Sequence, residues 1–172
     1  GIPCYDQELL EQLAEKSGFT PDYIKERGEY AERGGWLANA LSGRVSGGMN
    51  NQDHIWIAQR ELILELAEKG PCVIVGRCAD YILKDRDDVM DVYIHADSAF
   101  KAERIVRLYG ESEKAPAQRL ADKDKRRRVN YQHYTGRTWG QAQNYDICLD
   151  TGVLGEQQCV DIIVDIVKNS QK

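Results

Sequence analysis

The chain has no apolar run long enough to cross a bilayer and no secretory leader pattern. It also lacks any C-x-x-C pair. Its five cysteines, Cys4, Cys72, Cys78, Cys148 and Cys159, are an odd number without close spacing. A disulfide framework is therefore a poor fit, and reduced, mostly buried thiols in a cytoplasmic protein are the expectation. His54, His95 and His133 stand at no ligand spacing from those cysteines, so no zinc motif is present and no metal site built from side chains is expected. Internal repeats, low-complexity tracts and linker-like composition are missing as well. So is the G-x-x-x-x-G-K-[ST] signature. Gly43, Gly47 and Gly48 lie in a polar stretch over 42–51 that reads as a mobile loop and follows no apolar strand.

What is present fits one folded domain. A length of 172 residues predicts a single domain, and 42% apolar residues suffice for a core. The net charge of −5 argues against general nucleic-acid binding but leaves room for a local basic site.

The most informative stretch runs from Pro71 to Leu83. Cys72, Val73, Ile74 and Val75 show no polar alternation, which predicts a strand buried on both faces, as in a parallel sheet. Gly76 lets the chain leave that strand. Arg77 then stands at the strand's carboxyl end, where open α/β sheets bind ligands, with a fork suited to phosphate. Pairing with a nearby carboxylate is the alternative. Cys78, beside it, reads as a packing residue more readily than as a reactive thiol.

Other elements follow from periodicity and caps. A short strand over 2–5 precedes a helix capped by Asp6, with Leu9, Leu10, Leu13 and Ala14 on one face and Gly18 at its end. Thr20 and Pro21 start a second helix that runs to about Arg33, and residues 36–41 add one further turn. A third helix spans 52–69 with a core stripe of Ile55, Ala58, Leu62, Ile63 and Leu66. A short helix over 79–84 and a strand over 89–95 come next. Asp97 caps a helix carrying Ala102, Ile105, Val106 and Tyr109, closed by Gly110, and Pro116 starts another that passes Arg127. Residues 131–143 read as irregular and aromatic. A strand over 147–149 and a last helix with Val160, Ile163, Val164 and Val167 at helical spacing complete the chain. Strands alternating with helices predict an α/β fold with a parallel sheet layered between helices.

Basic residues are concentrated in an acidic chain. Arg104 and Arg107 share a helix face, and Lys123, Lys125, Arg126, Arg127 and Arg128 crowd the next helix, flanked by Arg119 and Arg137. Like charges so close repel, so a polyanion site explains them better than stability does. A solvated face paired with Asp122 and Asp124 is the alternative. Lys123 and Arg127, four apart, can clamp one phosphate, while Asp124 can orient Arg127 or accept a sugar hydroxyl. Phosphoryl transfer needs such fixed cations. Arg77 suits an acceptor's phosphate, and Arg104, Arg107 and Arg126 suit a lid over a nucleoside triphosphate.

Several of these segments together resemble a known family. They are Ile2-Pro3-Cys4-Tyr5-Asp6, the run from Val73 to Leu83, Asp124-Lys125-Arg126-Arg127, Tyr134-Thr135-Gly136, Trp139-Gly140 and Asn144-Tyr145-Asp146. In this order they are similar to the cytidylate-kinase-like proteins. The resemblance implies a three-layer α/β/α fold of the P-loop nucleoside-monophosphate kinase type, with an acceptor-binding insertion over 20–52 and a helical lid over 104–137. It implies Arg77, Asp124 and Arg127 as substrate-binding residues, to which the spacing argument adds Lys123, and it puts Arg104 and Arg107 on the helix leading into the lid, where they and Arg126 are the expected catalytic cations. ATP and Mg2+ are the implied cofactors, and a (d)CMP-like nucleoside monophosphate is the implied acceptor. The chain departs from the family at Cys78, where cytidylate kinases carry an aspartate. The family's phosphate-binding loop precedes the Ile-Pro-x-Tyr-Asp segment, so the natural domain is expected to begin before Gly1.

Three functions compete. The first is an ATP-dependent phosphotransferase acting on a nucleoside monophosphate or on another small molecule. The second is a nucleotide-binding module without catalysis. The third is a nucleic-acid site over 119–137 that stacks bases on Tyr131, His133 and Tyr134, and overall acidity counts against it. No nucleic acid and no membrane is therefore expected as a partner, and oligomeric state is not legible.

Overall fold

The structure, a computed structural model, describes residues 1–27 and 51–170. Most of the expected acceptor-binding insertion lies outside the described residues, including the second helix beyond residue 27, the turn over 36–41 and the loop over 42–51 up to residue 50, while Asn51 begins a helix. Contacts gather the chain into two compact units, one of Gly1–Val89 with Arg126–Arg137 and one of Met90–Lys125 with Thr138–Lys172. The expected lid segment contributes to both units.

In the first unit, strand β1 (Cys4–Tyr5) pairs in parallel with β2 (Val73–Ile74), Cys4 opposite Val73 and Tyr5 opposite Ile74. The amides of Val73 and Val75 donate to the carbonyls of Pro3 and Tyr5 at 2.9 and 3.0 Å. Helices α1 (Gln7–Ser17), α2 (Pro21–Arg27), α3 (Asn51–Lys69) and α4 (Ala79–Ile82) surround this pair in sequence. Leu9 and Leu13 of α1 lie one turn apart and are fully buried. They pack into one core with Ile24 of α2, Ile55, Leu62, Ile63 and Leu66 of α3, and Ile82 of α4. Burying each such side chain contributes roughly 1.5–3 kcal/mol. The exposed ion pairs of Lys16 with Glu61 and Glu65 add little beside that.

The second unit pairs β3 (Val92–His95) in parallel with β4 (Ile147–Asp150), from Val92 opposite Ile147 to His95 opposite Asp150. Asp97 caps α5 (Ser98–Tyr109), its carboxylate accepting from the Phe100 amide at 2.9 Å, and Gly110 closes that helix as predicted. Helix α6 (Pro116–Thr135) belongs to this unit up to Lys125 and to the first unit from Arg126. Asp150 accepts from the Gly152 and Val153 amides and caps the short α7 (Thr151–Leu154), which leads into α8 (Glu156–Ser170). Tyr93 of β3 stacks on Tyr145 at 4.8 Å between centroids and meets Trp139 edge-on. Gly140 lies against it, and a Cβ there would sit 2.7 Å from the Tyr93 hydroxyl oxygen.

The molecule is thus α/β, with mostly helices and two small parallel sheets among the described residues. Strand pairing is parallel, as the alternation of elements predicts. Three local expectations are corrected. The run over 72–75 is not buried on both faces, because Val73 and Val75 are 46% and 48% exposed. These two share one side of the pleat, while Ile74 turns the other way and packs against the core. Asp6 occupies the N-cap position of α1 but makes no side-chain capping bond. Helix α6 continues through Thr135, since the Tyr131 and Thr135 side chains are buried and hold its last turn in place. The last helix forms as predicted, with Val160, Val164 and Val167 exposed and Cys159 buried.

No helix of the described residues is long and apolar enough to cross a membrane. The cysteines are all free, with Cys78 and Cys159 buried and Cys4 exposed.

Candidate functional site

Where the chain leaves β2, three consecutive residues turn left-handed: Gly76 at φ 70°, Arg77 at 57° and Cys78 at 56°. Nothing lies within 4 Å of a Cβ at Gly76, so its backbone angle, and not a close neighbour, demands glycine there. Arg77 and Cys78 have no such freedom. A side-chain-bearing residue in this region costs roughly 1–2 kcal/mol, and such strain persists only where the surroundings hold it.

The surroundings here are specific. The Gly76 carbonyl accepts from the Ala79 amide at 3.0 Å, and the Cys78 carbonyl accepts from the Tyr81 and Ile82 amides. The Arg77 carbonyl accepts from Gln59 Nε2 at 2.9 Å. Gln59 lies on α3 and is only 3% exposed. From α6, Asn130 Nδ2 approaches the Cys78 sulfur at 4.0 Å, and the Tyr131 hydroxyl donates to Asp80 on α4. Burial, with a smaller push from Asp80 against a counter-pull from Arg77, drives the Cys78 thiol up to about 12. It is a neutral packing group at physiological pH, in line with the sequence reading. Nη1 of Arg77 is shielded from solvent without a hydrogen bond, though the residue has other interactions. Asn130 Oδ1 is likewise buried without a partner.

An aromatic group belongs to the same unit. Trp56 and Tyr134 stack at 4.3 Å with rings 9° from parallel, and His133 meets Tyr134 edge-on. The Tyr134 hydroxyl donates to the Gln52 carbonyl at 3.4 Å. Burial, with a smaller push from the Asp53 carboxylate, drives that hydroxyl up to about 12. Tyr131 and Tyr134 therefore pack within the fold, with Tyr131 only 4% exposed. Arg137 stands 5.3 Å over the Tyr81 ring.

The remaining predicted residues divide between the units. Arg126 and Arg127 fall in the first with Arg77, and both interact with neighbouring groups. Arg104, Arg107, Lys123 and Asp124 fall in the second. There Arg104 Nε and Arg107 Nη2 donate to the same oxygen, Glu156 Oε1, at 2.9 and 3.4 Å. The Arg104 hydrogen bond holds the Glu156 carboxyl below its usual range. Lys123 stands 5.1 Å over the Tyr109 ring. Asp124 accepts from Lys101 Nζ at 2.9 Å, and Asp122 accepts from Lys114 Nζ at 3.0 Å. The acids within the basic run are thus bonded to lysines that precede it in the sequence.

Two arginines converging on one carboxylate show that this pair can hold a compact anion, and a phosphate group is one such anion. Among the described residues no cluster of His, Cys, Asp and Glu is suited to hold a metal. A Mg2+ held mainly by phosphate oxygens and water needs no such cluster.

Sequence reasoning missed Gln59, Asn130 and the Tyr131–Asp80 bond. Gln59 was detectable as a polar interruption of a stripe, four residues after Ile55 and three before Leu62. Nothing in the sequence pointed to Asn130, which lay at the edge of a segment read as irregular.

No curated protein matches the chain. The crystal structure of an uncharacterized protein from Eubacterium ventriosum ATCC 27560 is similar, with a TM-score of 0.69 and 28% identity over 97% of this chain and 83% of that one. The model of the cytidylate kinase-like family matches residues 1–153, which include β1, the Arg77 turn, all of α6 and β4. The chain belongs to the cytidylate kinase-like family.

Proposed function

We propose that the protein is an ATP-dependent phosphotransferase that transfers the γ-phosphoryl group to a (d)CMP-like nucleoside monophosphate, within a P-loop kinase fold of three layers. The observation that carries this reading is the Arg77 turn. A permanent cation follows the end of a parallel strand, on backbone that is strained and braced from two helices. Family membership supports a nucleotide kinase-like role.

In this reading Arg77 and Arg127 of the first unit bind the acceptor, and Arg104 and Arg107 of the second unit hold phosphate. An acceptor phosphate oxygen attacks the γ-phosphorus, the bond to the ADP oxygen breaks, and no covalent enzyme intermediate is needed. Mg2+ bound to the triphosphate would neutralise charge on its oxygens. The fold class and the absence of a membrane-spanning helix among the described residues suit a cytoplasmic enzyme.

The test is Arg77→Ala in the full-length protein, with CMP affinity measured by calorimetry and folding by circular dichroism. A large loss of affinity with an unchanged fold is expected. Unchanged phosphorylation of CMP by this variant would remove Arg77 from the acceptor site.

One observation favours a second reading, a nucleotide-binding module without catalysis. Arg104 and Arg107 are both bonded to Glu156, which competes with any phosphate for them. Turnover of CMP with ATP separates the two readings. Cys78, in place of the family's aspartate, also leaves open a different small-molecule acceptor, which the same assay reports when run with a panel of acceptors.

A further inference from the structure

Among the buried positions of α3, Gln59 is the one polar residue, set among Ile55, Ala58, Leu62, Ile63 and Leu66. An apolar side chain there would add buried area without a polar group to satisfy. What Gln59 provides instead is a donor to the Arg77 carbonyl at 2.9 Å. That carbonyl belongs to the peptide joining the two left-handed non-glycine residues, and the carbonyls on either side accept from amides of α4.

We propose that Gln59 is a positioning residue for Arg77, fixing the strained turn so that the guanidinium is presented to the phosphate of the bound ligand. Gln59 does not touch the ligand. It acts by removing the alternative backbone states that the left-handed pair would otherwise relax into, so the ordering cost is met before binding. The inference rests on the reading of Arg77 as a phosphate-binding residue.

The test uses Gln59→Met, which keeps the length of the side chain and removes the donor, and compares CMP with cytidine by calorimetry on the full-length protein. CMP affinity should fall about tenfold, in line with loss of one hydrogen bond to a strained segment. Cytidine affinity should stay unchanged, because cytidine has no phosphate for Arg77 to meet. In an Arg77→Ala background, Gln59→Met should cause no further loss. Equal weakening of CMP and cytidine would show a merely structural role and overturn the proposal, as would unchanged CMP affinity where Arg77→Ala alone weakens it. If Arg77→Ala leaves CMP affinity intact, the functional reading fails, and this inference fails with it. Should Gln59→Met not fold, NMR of the wild-type protein decides. The Gln59 side-chain amide signal should shift with CMP and not with cytidine, and a signal indifferent to both overturns the idea.

Discussion

Cys78 and Tyr134 both hold protons more tightly in the folded chain than outside it, each mainly because burial disfavours the charged form. The thiol is pushed from 9.0 to about 12 and the phenol from 10.0 to about 12. Above about pH 9 the unfolded chain releases these protons first, so it binds fewer than the folded one. Stability from this source is therefore intact below the ordinary thiol range and is lost as pH rises toward 12. The midpoint of urea unfolding should fall steadily above about pH 9. A Cys78→Ala, Tyr134→Phe double variant should show a shallower fall, and an equally steep one would mean that other groups govern alkaline unfolding. The place of Arg77 at a strand end was legible at this scale because a cation after a glycine at the close of an apolar run is a local pattern. The bond from Gln59 was not, because it depends on a carbonyl supplied by a different element, and a single polar residue on an apolar stripe names no partner.

Helices were legible where a cap or a stripe marked them. Asp97 and Gly110 bound α5 as their chemistry predicts, and α3 buries all five residues of its predicted stripe. Strand burial was less legible, because alternation tells which residues share a face and not whether that face is covered, as the exposed Val73 and Val75 show. Pairing between α5 and the first turn of α8 could not be read at all, since Glu156 gives no sign in sequence that it will meet Arg104 and Arg107. Those ion pairs are exposed and contribute little to stability. Their consequence is competition. Glu156→Gln should tighten binding of ATP or inorganic triphosphate, most clearly at low ionic strength, because the two guanidinium groups lose a resident anion. Unchanged or weaker binding in a calorimetric titration would mean that Arg104 and Arg107 do not hold a polyphosphate.

For the molecule as a whole, parallel pairing and the α/β class followed from the order of elements, while the division into two compact units did not. Contacts that define such units join residues far apart in sequence, and α6 contributes to both. On the proposed reading, CMP at a hundredfold its dissociation constant should stabilise the protein by about 2.7 kcal/mol. Hydrogen exchange should then slow in the Arg77 turn, in α3 and in the last turns of α6. No slowing in these segments, despite a thermal shift, would place the acceptor elsewhere. The parallel pairing has a further consequence during synthesis. Cys4 can find Val73, and Val92 can find Ile147, only after everything between them has left the ribosome. At about 5–20 residues per second, each early strand waits on the order of several seconds for its partner. For part of that interval Leu9 and Leu13 have emerged without the α3 residues that will bury them. Through those seconds the apolar face of α1 stays uncovered, so the interval open to misassociation is set by the speed of translation.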